Sequence, residues 1–316
     1  YMGIQAEAEA TLRELLGVPD NYKVLFLQGG GVGQNAILPM NLIGRTGRAD
    51  YVISGDWSRR SADEAAHYGQ VRIAASSEEG GRFRRAPELA EWQIDPGASY
   101  LHFCSNETIG GVEIFWTPDT GSVPLVADMS SNILSRPIDV SRYGLIYAGA
   151  QKNMGPSGLT VVIVREDLLG HAMPTTPLVF NYQAQAQADS MLNTPPTYAI
   201  YIAGLVYKHV RQMGGLAAME AHNRAKAQVL YDFIDQSGFF SNPIEPAYRS
   251  RMNVPFFLED PALEPAFLKG AQERGLVQLK GHRSVGGMRA SIYNAMPLEG
   301  VQALVAYLRE FESRHG

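Results

Sequence analysis

Short apolar runs alternate with amphipathic stretches along the first two thirds of the chain. The apolar runs predict strands at 23–27, 50–54, 99–104, 124–127, 144–148 and 159–164. Between them, residues 4–16 carry apolar side chains on one helical face, a second helix begins near Gln34, and residues 57–68 predict a third. Strands that are apolar throughout and separated by helices indicate a mostly parallel sheet with helices on both faces.

The last third of the chain has a different pattern. Helix 197–211 is apolar almost all round, which is typical of a helix buried between layers. A Gly-Gly pair then interrupts the pattern before a long helix at 216–235. Further on, strands are predicted at 253–258 and 289–292, and helices near 262–274 and 298–313. This α+β pattern predicts two domains, a large one of residues 1–212 and a smaller one of residues 213–316.

Composition and charge limit the class of protein. The chain has 316 residues, of which 45% are hydrophobic and 19% charged, and its formal net charge is −5. These values describe a globular chain whose acidic balance argues against nucleic acid or an anionic membrane surface as a partner. No apolar run reaches the roughly 18 residues of a membrane helix. The single cysteine, Cys104, excludes a disulfide framework and a multi-cysteine metal site, and we expect a cytoplasmic protein without bound metal.

A glycine-rich loop, residues 28–33, joins the first strand to the next helix. Glycines at such a junction let backbone N–H groups approach a phosphate, and the helix dipole favours an anion there. A tight structural turn explains the same glycines, so the loop alone leaves both interpretations open. The loop has no glycine three residues after Gly33, which argues against a nicotinamide dinucleotide site.

Two ionisable residues follow apolar strands further along the chain. Asp128 lies at the carboxyl end of one strand, and Lys152 lies just past the end of another. In an open α/β sheet both positions face the ligand crevice, where a carboxylate could hold a ring nitrogen protonated and a desolvated lysine could act as a nucleophile. Either residue alone is more often a strand-end cap or a solvated side chain. Together with the glycine loop they suggest a pyridoxal phosphate site with a Schiff-base lysine.

Several motifs give the chain a resemblance to a known family. They are Gln28–Gly31, Gly55–Ser58, Ser105–Ile109, Val126–Ser131, Tyr147–Asn153, Asn193–Thr197 and Gly281–Ser291. Over essentially the whole chain, their order and spacing resemble those of the phosphoserine aminotransferases, class V enzymes of fold type I that use pyridoxal 5'-phosphate. The resemblance implies an α/β fold, with a large domain built on a mostly parallel sheet and a small C-terminal α+β domain.

The resemblance also implies the reaction and the assembly. Members of this family interconvert 3-phosphohydroxypyruvate and glutamate with O-phosphoserine and 2-oxoglutarate in serine biosynthesis, and bacterial members also act in pyridoxine biosynthesis. The family's active site lies at the subunit interface of a homodimer, so a homodimer is expected.

Roles for cofactor-binding residues follow from the same resemblance. Lys152 corresponds to the Schiff-base lysine that also shuttles a proton, Asp128 to the partner of the pyridinium nitrogen, and Trp57 to the aromatic side chain stacked on the ring. The other implied contacts are Thr108 near the phenolic oxygen, Gly31, Val32 and Gln151 at the phosphate, and Asn193 and Thr194 reaching the phosphate from the neighbouring subunit.

Three cationic or potentially cationic residues near the C-terminus are candidates for substrate binding. Arg289 suits bidentate binding of a substrate α-carboxylate. His282 and Arg283, on the loop before it, resemble the family's clamp on the substrate phosphate. The two anchors together would explain how one site accepts a phosphorylated substrate and then glutamate, because both are anionic at two ends.

The chain departs from the family pattern in three places. Val32 stands where family members often have a polar or basic side chain, and Gly110 stands where an aspartate is usual. The family's N-terminal segment, with a His-Arg pair used in substrate binding, would precede Tyr1, so we expect a segment to be missing from this chain.

Three other functions are weighed against this interpretation. A cysteine desulfurase of the same class needs a nucleophilic cysteine on a mobile loop, whereas Cys104 ends an apolar strand, where a buried inert thiol is expected. A nicotinamide dehydrogenase would use the glycine loop but has no need of the lysine and aspartate. A noncatalytic binding protein of the same fold is opposed only by the intact Lys152–Asp128 pair.

Overall fold

The computed structural model describes residues 1–316 and contains three sheets. The strands are β1 (Tyr22–Leu27), β2 (Arg48–Ile53), β3 (Gln70–Ser76), β4 (Glu78–Glu79), β5 (Arg82–Phe83), β6 (Leu101–Cys104), β7 (Leu125–Asp128), β8 (Leu145–Gly149), β9 (Thr160–Arg165), β10 (Phe240–Ser241), β11 (Asn253–Leu258) and β12 (Met288–Ser291). The α-helices are α1 (Met2–Leu16), α2 (Gly30–Leu42), α3 (Asp56–Ala65), α4 (Tyr182–Gln187), α5 (Thr197–Gln212), α6 (Gly215–Gln236), α7 (Glu264–Glu273) and α8 (Leu298–His315).

The largest sheet has seven strands in the order β1-β9-β8-β7-β6-β2-β3. The five strands from β8 to β3 pair in parallel, and only β9 runs antiparallel to its neighbours, β8 and β1. The prediction of a mostly parallel sheet is therefore confirmed. Strand β3 was not predicted, because this edge strand buries only Ala74 and Ala75 and so carries no apolar run.

Helices cover both faces of this sheet, as predicted. On one face, α1 and α5 pack over side chains such as Phe26, Phe103 and Ile146. On the other face, α2 and α3 pack over neighbouring side chains of the same strands, including Leu25 and Tyr147. Successive side chains of a strand point to opposite faces, so a sheet covered on both sides needs strands that are apolar at every position.

Helix α5 differs from its prediction. We expected it to be buried all round, but it buries only the side that includes Ile200 and Tyr207. Its opposite side exposes Tyr198, Tyr201 and Leu205, with Tyr198 at 72% of its full accessibility. The apolar residues that suggested complete burial therefore form an exposed surface of the single chain.

The C-terminal part has its own sheet and its own core. Strands β10, β11 and β12 form an antiparallel sheet, and α6, α7 and α8 pack with it around Phe240, Phe256 and Phe267. Helix α6 joins the two parts, because Leu216 packs in the core beside the large sheet and Leu230 packs in the C-terminal core. None of the helices combines the length and the hydropathy needed to cross a membrane.

Candidate active site

A cleft opens where the carboxyl ends of β6, β7 and β8 meet the start of α2. Most of the residues predicted to bind the cofactor line this cleft together: Gly31, Val32, Trp57, Thr108, Asp128, Gln151 and Lys152. They come from five separate regions of the sequence, which the parallel strand order brings to one edge of the sheet.

Lys152 lies on the turn that follows β8. Its Nζ donates a hydrogen bond to Thr108 Oγ1 at 2.6 Å and lies 5.9 Å from the centre of the Trp57 ring. Burial lowers the pKa of Lys152, and the charge of Asp128 opposes this shift. A lysine whose pKa is lowered has a larger share of neutral amine, the form that acts as a nucleophile or a base.

Asp128 is the last residue of β7 and only 8% exposed. Its Oδ1 accepts a hydrogen bond from the backbone N–H of Ser130 at 2.8 Å. Burial raises the pKa of Asp128, whereas the hydrogen bonds from Ser130 and the charge of Lys152 lower it. The ionisation of this buried carboxyl group therefore depends on its neighbours, and a cation placed beside it favours the charged form.

A buried histidine on β6 of the same sheet contacts Tyr147. His102 is fully buried, and its Nε2 is 2.9 Å from the hydroxyl of Tyr147. Burial lowers the pKa of His102 to about 3, so the ring is neutral at physiological pH. A hydrogen bond from Tyr147 in turn helps to lower the pKa of Asp128. On this side of the carboxylate, neutral polar side chains rather than cations therefore stabilise its charge.

The glycine loop forms the opposite wall of the cleft. Helix α2 begins at Gly30, not near Gln34 as predicted, and the chain turns into it through left-handed backbone at Gly29 and Gly30, with φ of 100° and 67°. Gly29, the residue before the helix, has no side chain to cap it, and Thr160 Oγ1 accepts only from Gly30 N, at 2.7 Å. The next N–H groups, of Gly31 and Val32, lie at the cleft. Uncapped N–H groups and the helix dipole make this wall suitable for an anion such as a phosphate.

Gly31 is also placed where a side chain would intrude. A Cβ there would lie 3.0 Å from Ser130 Oγ and 3.8 Å from Asp128 Oδ2. A glycine at this position keeps the space in front of the carboxyl group open. Val32 beside it is 63% exposed and supplies only its backbone as a polar group.

Trp57 lies in the first turn of α3 and forms one side of the cleft. Its indole Nε1 is buried without a hydrogen-bond partner. The guanidinium of Arg60 lies 5.1 Å from the ring centre. An indole ring held at the wall of a cleft offers a flat surface on which a planar ligand can stack.

Glu107 is absent from the residues predicted to form the site. It is fully buried next to Thr108, and its carboxylate accepts hydrogen bonds from the backbone N–H groups of Trp57 and Ser58, both at 2.9 Å. Burial raises its pKa to about 7, although these donors oppose the shift. The motif 105–109 contained this residue, but nothing in the sequence indicated that its charge would be buried.

Arg289 connects the C-terminal sheet to the cleft. It lies on β12, and its Nη1 donates to the backbone carbonyl of Thr108 at 3.2 Å. Its Nε is buried without a partner. The arginine therefore has donors available for a ligand beside Thr108.

Asn193 and Thr194 lie outside this cleft in the single chain. Asn193 lines a different groove, together with Gly29 and Phe180 on the other side of the glycine loop. The backbone carbonyl of Thr194 accepts a hydrogen bond from Gln28 Nε2 at 3.4 Å. Both side chains are exposed.

His282 and Arg283 are not among the residues that line the Lys152 cleft. They are on the loop before β12, where His282 Nδ1 is 2.8 Å from Ser284 Oγ. Arg283 is exposed and forms no ion pair. The loop thus leaves this guanidinium free.

Cys104 has the properties of a structural residue. It is buried at the end of β6, and burial raises its pKa well above the ordinary value for a thiol. A thiol with a raised pKa is a poor nucleophile, which disfavours a cysteine desulfurase.

Comparison with known proteins defines the class first. The sequence profile of the family described as aminotransferase class-V matches residues 2–304. The fold and the site thus define a class-V aminotransferase.

Individual relatives define the family more closely. The phosphoserine aminotransferases of Nitrosomonas europaea and Aromatoleum aromaticum are 62% and 61% identical to this chain, with all of this chain and 88% of each relative covered. A solved phosphoserine aminotransferase from Bacillus circulans subsp. alkalophilus has a TM-score of 0.97 at 47% identity, with coverage of 100% of this chain and 88% of the other. The enzyme from Trichomonas vaginalis, solved with PLP bound, has a TM-score of 0.93 at 42% identity, with coverage of 98% and 88%. The chain belongs to the phosphoserine aminotransferase family.

Proposed function

We propose that this protein is a pyridoxal-phosphate-dependent transaminase of serine biosynthesis. It transfers the amino group of glutamate to 3-phosphohydroxypyruvate and yields O-phosphoserine and 2-oxoglutarate. The observation that carries this proposal is the convergence of Lys152 and Asp128 in one cleft, facing the uncapped start of α2. The close relatives bear the name of this activity.

The residues of the cleft fit pyridoxal phosphate. The uncapped first turn of α2 suits the phosphate, with Gln151 at the same cleft, and the buried carboxyl of Asp128 suits a protonated ring nitrogen. Trp57 offers a stacking surface, and Gly31 leaves the space open. When bound, this cofactor supplies a carbonyl group that takes up the amino group and a conjugated ring that accepts electrons from the Cα of the amino acid.

Lys152 has two functions in this proposal. It would hold the cofactor covalently through Nζ, and, once the substrate amino group has displaced it from the cofactor, its released neutral amine would take a proton from the substrate Cα and hold it at Nζ. The lowered pKa of Lys152 favours the neutral form that both functions need. Thr108 Oγ1, 2.6 Å away, orients the amine and remains available to the phenolic oxygen of the ring.

Asp128 holds a proton at the ring nitrogen by its negative charge. Because the carboxyl is buried, this charge acts through a medium of low polarity and is more effective than in water. The hydrogen bond from Ser130 fixes its position on the sheet.

Substrates bind by their two anionic ends. Arg289, with free donors beside Thr108, binds the α-carboxylate that all the substrates share. His282 and the unpaired Arg283 bind the phosphate of phosphoserine or the second carboxylate of glutamate. A phosphorylated substrate of pyridoxine biosynthesis meets the same requirement.

We also infer a homodimer in which Asn193 and Thr194 reach the cofactor phosphate of the partner chain. Support comes from the exposed apolar side of α5, with Tyr198 and Tyr201, and from Leu178, which is 65% exposed. Exposed apolar side chains of this extent are typical of an interface. A cytoplasmic location agrees with one buried, unpaired cysteine.

We propose a division into a cofactor-binding domain of residues 1–212 and a C-terminal domain of residues 213–316. The separate sheet and core of the C-terminal part support it. The boundary falls just before α6, the helix that packs in both cores.

Replacing Lys152 tests the proposed function. Lys152→Ala should abolish the covalent bond to pyridoxal phosphate, and the loss of proton transfer alone should lower kcat by on the order of 10²- to 10⁴-fold. Borohydride treatment followed by mass spectrometry measures covalent attachment, and a coupled assay with phosphoserine measures kcat. A cofactor that borohydride still fixes to Lys152→Ala would overturn the assignment.

The matched control is Lys226, a buried lysine whose pKa is also lowered. Its Nζ donates to the backbone carbonyls of Ile292 and Tyr293, away from the cleft. Lys226→Met should lower thermal stability and keep the covalent cofactor, which separates the loss of a buried amine from the loss of the attachment point.

A further inference from the structure

Two segments of the cleft are joined by one carboxylate. Glu107 Oε2 accepts a hydrogen bond from Trp57 N at 2.9 Å, and Oε1 accepts from Ser58 N at 2.9 Å and from Ser58 Oγ at 2.6 Å. Glu107 itself precedes Thr108, which binds Lys152 Nζ. The same side chain therefore contacts the backbone of the stacking residue and belongs to the segment that orients the lysine.

This arrangement replaces an ordinary helix cap. The residue before α3 is Gly55, which has no side chain to accept the first N–H groups of the helix. Glu107 supplies the acceptor from a different part of the chain, at the helix end where the dipole favours a negative charge. The glycine is needed for it, because a Cβ at Gly55 would lie 2.4 Å from Glu107 Cδ.

The backbone of Glu107 is fixed as firmly as its side chain. Its N–H donates to the carbonyl of Val112 at 2.8 Å, and its carbonyl accepts from Gly111 N at 2.8 Å. The side chain is fully buried and forms no ion pair, so three hydrogen-bond donors are its direct partners. A neutral capping side chain would satisfy the helix N–H groups without the cost of burying a charge.

We propose that Glu107 is a positioning residue that holds Trp57 against Thr108 at the spacing that receives the cofactor ring. The proposal rests on the proposed function, since it concerns the same cleft. Glu107 acts through the backbone of Trp57 and through its neighbour Thr108, and it does not touch the cofactor. Its charge also raises the pKa of Lys152, so its loss would change both the geometry and the electrostatics of the cleft.

Glu107→Gln tests this role with almost no change in volume. A glutamine has one oxygen, so its NH₂ group would face one of the two backbone N–H donors of Trp57 and Ser58. We expect the Kd of pyridoxal phosphate to rise by about tenfold or more, the usual effect of losing a hydrogen bond to a charged group. The circular dichroism band of the bound cofactor should also change, because it reports the stacking geometry.

A second buried carboxylate provides the matched control. Glu113 accepts from Arg251 N at 2.9 Å and from Asn132 Nδ2 at 3.1 Å, and it contacts neither Trp57 nor Thr108. Glu113→Gln should lower stability and leave the cofactor Kd and the dichroism band unchanged. Equal changes in both variants, or a wild-type Kd and band in Glu107→Gln, would overturn the positioning role.

Hydrogen exchange tests the proposal without any cofactor. In the cofactor-free protein, the amides of Trp57 and Ser58 should exchange faster in Glu107→Gln than in the wild type and in Glu113→Gln. Unchanged exchange would overturn the positioning role even if the enzyme is a transaminase. Failure of the wild type to bind pyridoxal phosphate would instead overturn the proposed function.

Ser58→Ala is the variant to use if Glu107→Gln does not fold. It removes the hydroxyl that donates to Glu107 and that accepts from Ser54 N and Gly55 N, and it leaves both backbone donors to Glu107. We expect a smaller rise in cofactor Kd, roughly fivefold, because one of three hydrogen bonds is lost. A Kd equal to that of the wild type would count against the proposal.

Discussion

The Lys152 cleft and the loop of residues 281–287 are both expected to bind anionic ligands, but they are built differently. In the cleft, Asp128, Glu107 and Thr108 are buried and joined to neighbours by hydrogen bonds within one chain. On the loop, Arg283 is exposed and unpaired. A site whose groups are already fixed suits a ligand that stays bound, whereas free cations on an exposed loop suit substrates that enter and leave at each turnover.

The largest effect should come from removing the charge inside the cleft. Asp128→Asn keeps the shape but no longer stabilises a proton on the ring nitrogen. We expect kcat to fall on the order of 100-fold or more, with a much smaller change in cofactor affinity. Steady-state kinetics with phosphoserine and a cofactor titration measure the two quantities separately.

The control for this variant is Asp50, another buried carboxylate of the same sheet. Asp50 pairs with Arg72, at 2.7 Å, away from the cleft. Asp50→Asn should lower the melting temperature and leave kcat close to that of the wild type. If Asp128→Asn kept a wild-type kcat, some other group would have to protonate the ring.

A smaller and more selective effect should follow from changing the loop. Arg283→Ala should lower kcat/KM for phosphoserine by about 10- to 150-fold, the equivalent of the roughly 1.5–3 kcal/mol of a charge-assisted hydrogen bond. The kcat/KM for serine, which has no phosphate, should fall much less. The assays need a fixed ionic strength, because salt screens an exposed cation.

Arg274→Ala serves as the reference for this experiment. Arg274 is in the same C-terminal part and pairs with Glu310 at 2.6 Å, and it contacts no residue assigned to substrate. Its replacement should change kcat/KM for neither substrate. An equal loss for phosphoserine and serine in Arg283→Ala would refute the phosphate clamp, whereas Arg289→Ala is expected to impair both substrates because the α-carboxylate is common to them.

The sequence predicted some elements of the fold better than others. The central strands were predicted because both of their faces are buried, which leaves an apolar run in the sequence. Strand β3 at the sheet edge and the short helix α4 leave no such run and were missed. The start of α2 was misplaced by four residues because glycine is a poor helix former, although Gly30 begins the helix.

The same reasoning explains the site. Asp128 and Lys152 could be placed because both follow apolar strands whose ends meet at one edge of a parallel sheet. Glu107 could not, because its hydrogen-bond donors lie about 50 residues away, on α3, and burial of a charge leaves no local pattern. The resemblance assigned Asn193 to a partner chain, and one chain alone does not bring it to the cleft.

The last and smallest expected effect concerns that partner contact. If Asn193 binds the cofactor phosphate of the other subunit, Asn193→Ala should weaken cofactor binding by roughly tenfold, the loss of one hydrogen bond to a charged group. Light scattering should first show a particle with twice the chain mass of 34.6 kDa.

A hybrid dimer of one Asn193→Ala chain and one Lys152→Ala chain separates a contact within the chain from a contact across the interface. It contains one cleft that has both Lys152 and, from the partner chain, an intact Asn193. In that hybrid, the cofactor that borohydride fixes should bind with wild-type affinity and support about half of the wild-type activity. A tenfold weaker affinity at this cleft would mean that Asn193 acts within its own chain. The assignment of the phosphate contact to the partner chain would then be wrong.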